Sequence, residues 1–133
     1  MTPQLLLDTH VLIRWLTDPA RLSNSQSRAL REVVRRRHTV AVSAITLLEL
    51  AQMSARGARA KLAATEALRE LEVNQAFAVL PLTIPIAREV PHLAPVLRDP
   101  ADCVIAATAR VHGLRLLTSD QRLLDANVVS TID

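Results

Sequence analysis

RDPADCVIAATARVHGLRLLTSD, residues 98–120, reads as a helix feeding directly into a strand, with acids at both ends. Asp99 stands at an N-cap position, Pro100 at the first helical position and Asp102 in the first turn, the order that starts a helix. Gly113 stops that helix, residues 114–118 form a short apolar strand, and Asp120 follows just beyond it. A helix returning into a buried strand is the repeating unit of a parallel sheet, so this stretch sets the fold class.

Outward from it the same alternation recurs. Residues 4–8 make an apolar strand, followed by a helix over about 10–17 that Asp18-Pro19 ends. Ser23 or Ser25 caps a second helix running to about Arg37. Residues 39–43 (TVAVS) read as a second strand, and Ser43 opens a helix carrying Leu47, Leu48 and Leu50 that stops near Gly57. A further helix covers 58–74, residues 77–81 are a third strand, and Thr83 caps a short helix ending near Glu89. Pro91, Pro95 and Pro100 make the next stretch irregular, and a short helical turn with a last strand near 128–130 completes the pattern. The expectation is one α/β domain over residues 1–133, three-layered, with helices covering both faces of a mostly parallel sheet.

Composition removes several function classes. Half of the 133 residues are apolar, with Phe77 and Trp15 the only aromatics of the Phe/Trp/Tyr type, so the core is aliphatic and stacking platforms for bases are scarce. Cys103 is the single cysteine, which excludes an internal disulfide and a cysteine-based zinc site. With Gly57 and Gly113 the only glycines, a phosphate-cradling Gly-rich loop is impossible. The histidines at 10, 38, 92 and 112 show no metal-ligand spacing. No basic leader and no apolar run of membrane-spanning length is seen, so the expected location is cytoplasmic, with no membrane partner. Net charge is +3, and Lys61 is the only lysine among 16 basic residues. Arginine suits phosphate contacts, although a GC-rich genome produces the same bias.

Four acids then stand out: Asp8 in LLLDTH, Glu49 in AITLLELA, Asp102 and Asp120. Ligands of open parallel sheets bind beyond the carboxyl ends of the strands, where Asp8 and Asp120 fall. Glu49 can face back from the helix after the second strand, and Asp102 lies in the first turn of the helix before the fourth. Each has a structural alternative, as a turn residue, an N-cap or a complement to a helix dipole. For Asp99 the cap alone explains the residue. Glu49, flanked by leucines, is hardest to place on an exposed face; burial would require either a cation or an arginine partner. Oxygen ligands of this kind suit Mg²⁺ or Mn²⁺, ions that activate water for phosphodiester hydrolysis. His10 is a secondary candidate for orienting Asp8 or touching phosphate.

LLLDTHVLIRWL, SAITLLELA and RDPADCVIAATARVHGLRLLTSD resemble the acidic motifs of PIN-domain nucleases, and the DTH opening, the WLTDPARLS segment and the DPxD spacing are similar to VapC-type toxins of bacterial toxin–antitoxin pairs. The resemblance covers nearly the whole chain. It implies a PIN-like α/β/α fold and a Mg²⁺- or Mn²⁺-dependent endoribonuclease held inactive by a cognate antitoxin, commonly as a homodimer. It carries Asp8, Glu49, Asp102 and Asp120 over as the acidic quartet, adds Asp99 as a nearby carboxylate, and matches Thr9 and Ser119 to small polar residues beside the acids. Where many relatives have DPFDR this chain has DPADC, replacing Phe and Arg by Ala101 and Cys103.

On this reading Asp8 and Asp102 hold the main ion, and Glu49 and Asp120 complete its shell. Arg28, Arg31, Arg35, Arg36 and Arg37 are candidates for RNA phosphate contacts, or simply a solvated helix face. The alternatives are a catalytically silent PIN fold that binds RNA or protein, and a phosphoacceptor receiver domain. The latter fails because it needs a lysine at the end of a late strand, and Lys61 lies in a helix.

Overall fold

The computed structural model describes residues 3–133. Its centre is a five-stranded sheet, all parallel, in the order β3-β2-β1-β4-β5. The strands are β1 (Leu5–Leu7), β2 (Val40–Ser43), β3 (Phe77–Leu80), β4 (Arg115–Leu117) and β5 (Thr131–Ile132). The helices are α1 (Thr9–Thr17), α2 (Asn24–Arg35), α3 (Ala44–Met53), α4 (Ala58–Val73), α5 (Ile84–Leu93), α6 (Pro100–His112) and α7 (Gln121–Ala126).

The pleat sorts the strand residues between two cores. Leu5, Leu7, Val40, Val42 and Leu117 face one side, against Val11, Leu12, Leu30, Val33, Ala64 and Ala67 of α1, α2 and α4. Leu6, Ala41 and Leu116 face the other, against Ile86, Ile105, Ala106 and Ala109 of α5 and α6. The short strands therefore read as continuous apolar runs because both faces are covered.

From β1 the chain builds outward to β2 and β3, then returns through α5 and α6 to lay β4 on the other side of β1. The strand order reverses between β1 and β4, which opens a crevice at their carboxyl ends. Leu6 pairs with Leu116 and Leu7 with Leu117, so Asp8 and Thr118 leave the sheet side by side.

Three boundaries differ from the sequence reading. The last strand lies at Thr131–Ile132 rather than 128–130. Asn127 ends α7 in the left-handed conformation, and the Arg110 guanidinium holds the Val128 carbonyl, so pairing with β4 starts later. Helix α5 runs through Pro91 to Leu93. Proline there removes one backbone bond in the last turn, while buried Leu93 anchors the turn to the core. Helix α3 ends at Met53, and turns carry the chain on to Gly57. Among the described residues no helix is long and apolar enough to cross a membrane.

Candidate active site

Three helices begin at the crevice, each capped by an acid. Asp8 caps α1 by accepting the Val11 N–H at 2.8 Å, Asp99 caps α6 by accepting those of Ala101 and Asp102, and Asp120 caps α7 through Arg122 N–H. The capping and site readings of Asp8, Asp99 and Asp120 thus hold together: a helix N-terminus stabilises the carboxylate that closes it. Asp102 sits one turn into α6, and Glu49 reaches in from α3.

All five acids line one cleft of about 190 Å³, together with Thr9, His10, Gln52, Met53, Arg56, Ile105 and Arg122. Asp8 is buried, at 4% exposure, and Asp102 nearly so, at 9%. Glu49 is half-buried and faces the cleft, but not because its flanks are buried. Leu48 is 52% exposed, which corrects the expectation that leucine neighbours imply a buried helix face here.

Hydroxyls arrange these carboxylates. Thr118, fully buried, donates to Asp8 Oδ2 at 2.5 Å and accepts the Asp120 N–H at 3.0 Å, so one hydroxyl fixes two acids. Thr9 donates to Glu49 Oε1 at 2.5 Å, and its Oγ1 lies 3.0 Å from that of buried Thr46. Thr118, Thr46, Arg56 and Arg122 were not singled out in the sequence. The positions of the threonines at a strand end and in the first turn of α3 were the available signal; Arg122 stood two residues from Asp120, and nothing local marked Arg56.

The electrostatics differ from acid to acid. Burial pushes the Asp8 carboxyl above its ordinary value, against the hydrogen bonds from Thr118 and Val11. Asp102 is raised from 3.8 to about 6, first by burial, then by the charges of Asp99 and Asp120, with Arg122 opposing. Asp120 is held below its ordinary value, chiefly by a hydrogen bond from Arg122. Burial therefore dominates at Asp8 and Asp102, while Arg122 compensates Asp120.

The other candidates fall elsewhere. Among the described residues lining the cleft there is none of Arg28, Arg31, Arg35, Arg36 or Arg37, which belong to α2 and its C-terminal turn. Arg35 and Arg36 both bind Glu32, at 2.6 Å each. Ser119 is exposed and its Oγ accepts from Gln26 Nε2, which ties α2 to the loop carrying Asp120. Cys103 is buried and donates to the Leu97 carbonyl, so its side chain serves the core rather than the cleft.

Residues 5–129 match the family model of the PIN domain. The chain belongs to the PIN-domain family. This PIN domain is 38% identical over 121 residues to ribonuclease VapC22 of Mycobacterium tuberculosis, covering 89% of this chain and 88% of that protein. Its fold superposes on VapBC2 of Rickettsia felis bound to a promoter DNA fragment, with a TM-score of 0.73 at 15% identity and 96% of each chain covered. It also superposes on FitAcB of Neisseria gonorrhoeae, at a TM-score of 0.70 and 24% identity over 97% of this chain and 96% of that one. A third likeness is to VapBC-5 of M. tuberculosis, described as a toxin–antitoxin system, with 26% identity, a TM-score of 0.61 and 98% of each chain covered. The PIN domain's three layers and parallel sheet are the expected fold class.

Proposed function

We propose that this PIN domain is a divalent-cation-dependent endoribonuclease, acting in the cytoplasm as the toxin of a toxin–antitoxin pair. One observation carries the reading: Asp8, Glu49, Asp102 and Asp120, far apart in sequence, line one cleft at the strand reversal, with Asp8 and Asp102 raised by burial. The 38% identity to a ribonuclease supports the same substrate class.

The donor set fits a hard cation such as Mg²⁺ or Mn²⁺, because all its charged donors are carboxylate oxygens. Among the described residues no three acidic, histidine or cysteine side chains converge closely enough to hold an ion as they stand. Asp8 and Asp102 would hold the ion, with Glu49 and Asp120 completing its shell directly or through water and Asp99 nearby. Bound there, it supplies Lewis acidity and an activated water for phosphodiester hydrolysis.

The protein's own contribution is placement. Thr118 and the Val11 N–H orient Asp8, and Thr9, backed by Thr46, orients Glu49. His10 and Arg56 line the cleft where RNA phosphates would pass. With so few aromatics, RNA is gripped by its backbone, and Arg28, Arg31 and Arg37 on and after α2 are outer phosphate contacts. An antitoxin segment fits the open groove between α1 and α4, lined by Leu16, Arg21, Arg59 and Leu62, which shares Arg56 with the cleft. A homodimer would cover exposed apolar side chains such as Leu47 and Leu48 of α3.

The test is cleavage of a labelled RNA by the purified protein. Activity should disappear with EDTA and return with Mn²⁺; equal activity without metal excludes the mechanism. RNA retention without cleavage under every metal condition would favour the silent binding module.

A further inference from the structure

Arg122 occupies a place that helix physics does not explain. It lies in the first turn of α7, where a cation opposes the helix dipole. Its side chain is 68% exposed, so packing does not hold it there either. What holds it is the acid pair at the cleft. Nη2 lies 3.0 Å from Asp120 Oδ2 and 3.5 Å from Asp102 Oδ2, and Nε lies 3.3 Å from Asp120 Oδ1.

Asp102 and Asp120 are two of the acids that would hold a divalent cation in this cleft. A guanidinium and a divalent ion compete for them, because close approach of the two positive charges is unfavourable. The ion is the stronger partner for hard oxygens. An exposed side chain on the cleft rim can swing away from them at little cost in packing.

We propose that Arg122 is a tethered counter-cation: it neutralises Asp102 and Asp120 until a divalent ion arrives, is displaced by that ion, and then contacts the RNA phosphate at the cleft. The inference rests on the assignment of the acids as the cation site. The bidentate fork suits both duties, since it matches a carboxylate in one state and a phosphate in the other. Arg122 thereby lowers the affinity for the free ion and raises the rate once RNA is present, two effects of opposite sign on one side chain.

The experiment separates them. Mn²⁺ is titrated calorimetrically, without RNA, into the wild-type protein, Arg122→Ala, Arg122→Lys and Asp8→Asn. Arg122→Ala should bind Mn²⁺ about two- to fivefold more tightly, the range of a partly exposed ion pair, with Arg122→Lys in between. At saturating Mn²⁺ the same Arg122→Ala should cleave RNA about tenfold more slowly in kcat, as loss of a phosphate contact formed in the transition state predicts. Unchanged or weaker Mn²⁺ binding by Arg122→Ala overturns the counter-cation role and marks Arg122 as a structural support of Asp120. Unchanged kcat overturns the phosphate role. If wild type binds no Mn²⁺, or if Asp8→Asn binds it as wild type does, the assignment of the acids is wrong and the proposal falls with it.

Discussion

The outer face of α2 and the cleft at the ends of β1 and β4 use the same chemistry, carboxylates beside arginines, with opposite results. On α2, Glu32 lies between Arg35 and Arg36 in open solvent, and hydrogen bonds from the two arginines lower its carboxyl to about 2. In the cleft, five acids stand near Arg56 and Arg122, of which Arg122 pairs with Asp102 and Asp120, and burial with mutual repulsion raises Asp102 to about 6. The first is a surface ion pair, satisfied within one helix and worth little. The second is an unbalanced charge that the fold assembles from separate elements. The imbalance, rather than the presence of charged residues, separates a site from a surface.

That contrast can be broken most sharply at the acids. Asp8→Asn and Asp102→Asn should each lower metal-dependent RNA cleavage at least about 100-fold while circular dichroism shows an intact fold. Full activity in both variants would remove the distinction between the two regions. Next in size, Thr118→Val removes one hydroxyl from both Asp8 and Asp120. Cleavage should fall about tenfold and stability by about 1 kcal/mol, the usual worth of a buried hydrogen bond; Thr118→Ser should recover most of both.

A third prediction concerns pH without metal. Because Asp102 is raised in the folded state, the native protein binds more protons than the unfolded chain between its ordinary 3.8 and about 6. Stability should therefore rise as pH falls from 7 to 5, with buried Asp8 acting in the same direction. Glu32 acts oppositely, but only as pH falls below its ordinary 4.5, outside that window. Denaturant titrations at pH 7 and 5, with and without Mn²⁺, check it: the pH dependence should flatten when the cation is bound, and a protein more stable at pH 7 without metal would contradict it. Smallest of all, Arg35→Ala and Arg36→Ala should leave cleavage within about twofold, since Glu32 already engages both side chains.

How far the sequence carried differs between these regions for a physical reason. The alternation around residues 98–120 and the N-cap signals at Ser23, Ser43, Thr83 and Asp99 were local, and the structure has each cap in place. Asp8 and Asp120 were legible because they follow apolar strands, Glu49 and Asp102 because they interrupt apolar helical text. Most of what escaped was set by distant parts of the chain. Arg56 enters the cleft from the α3–α4 turn, and Arg122, although it pairs with Asp120 two positions away, reaches Asp102 only because the strand order brings α6 and α7 together. The shift of β5 to Thr131–Ile132 depends on Arg110 holding the Val128 carbonyl, a contact between residues 18 positions apart. The arginine run on α2 was conspicuous in sequence for the opposite reason: i,i+3 and i,i+4 pairing on a solvated helix needs nothing from the rest of the fold.

The late insertion of β4 beside β1 has a consequence for how the cleft comes together. Asp8 and the hydroxyl that fixes it stand 110 positions apart, so a loop spanning most of the domain must close before Thr118 and Asp120 reach Asp8. Closing such a loop costs entropy that only the docked sheet offsets. A chain in which β4 has not yet joined β1 carries its acids but not their arrangement.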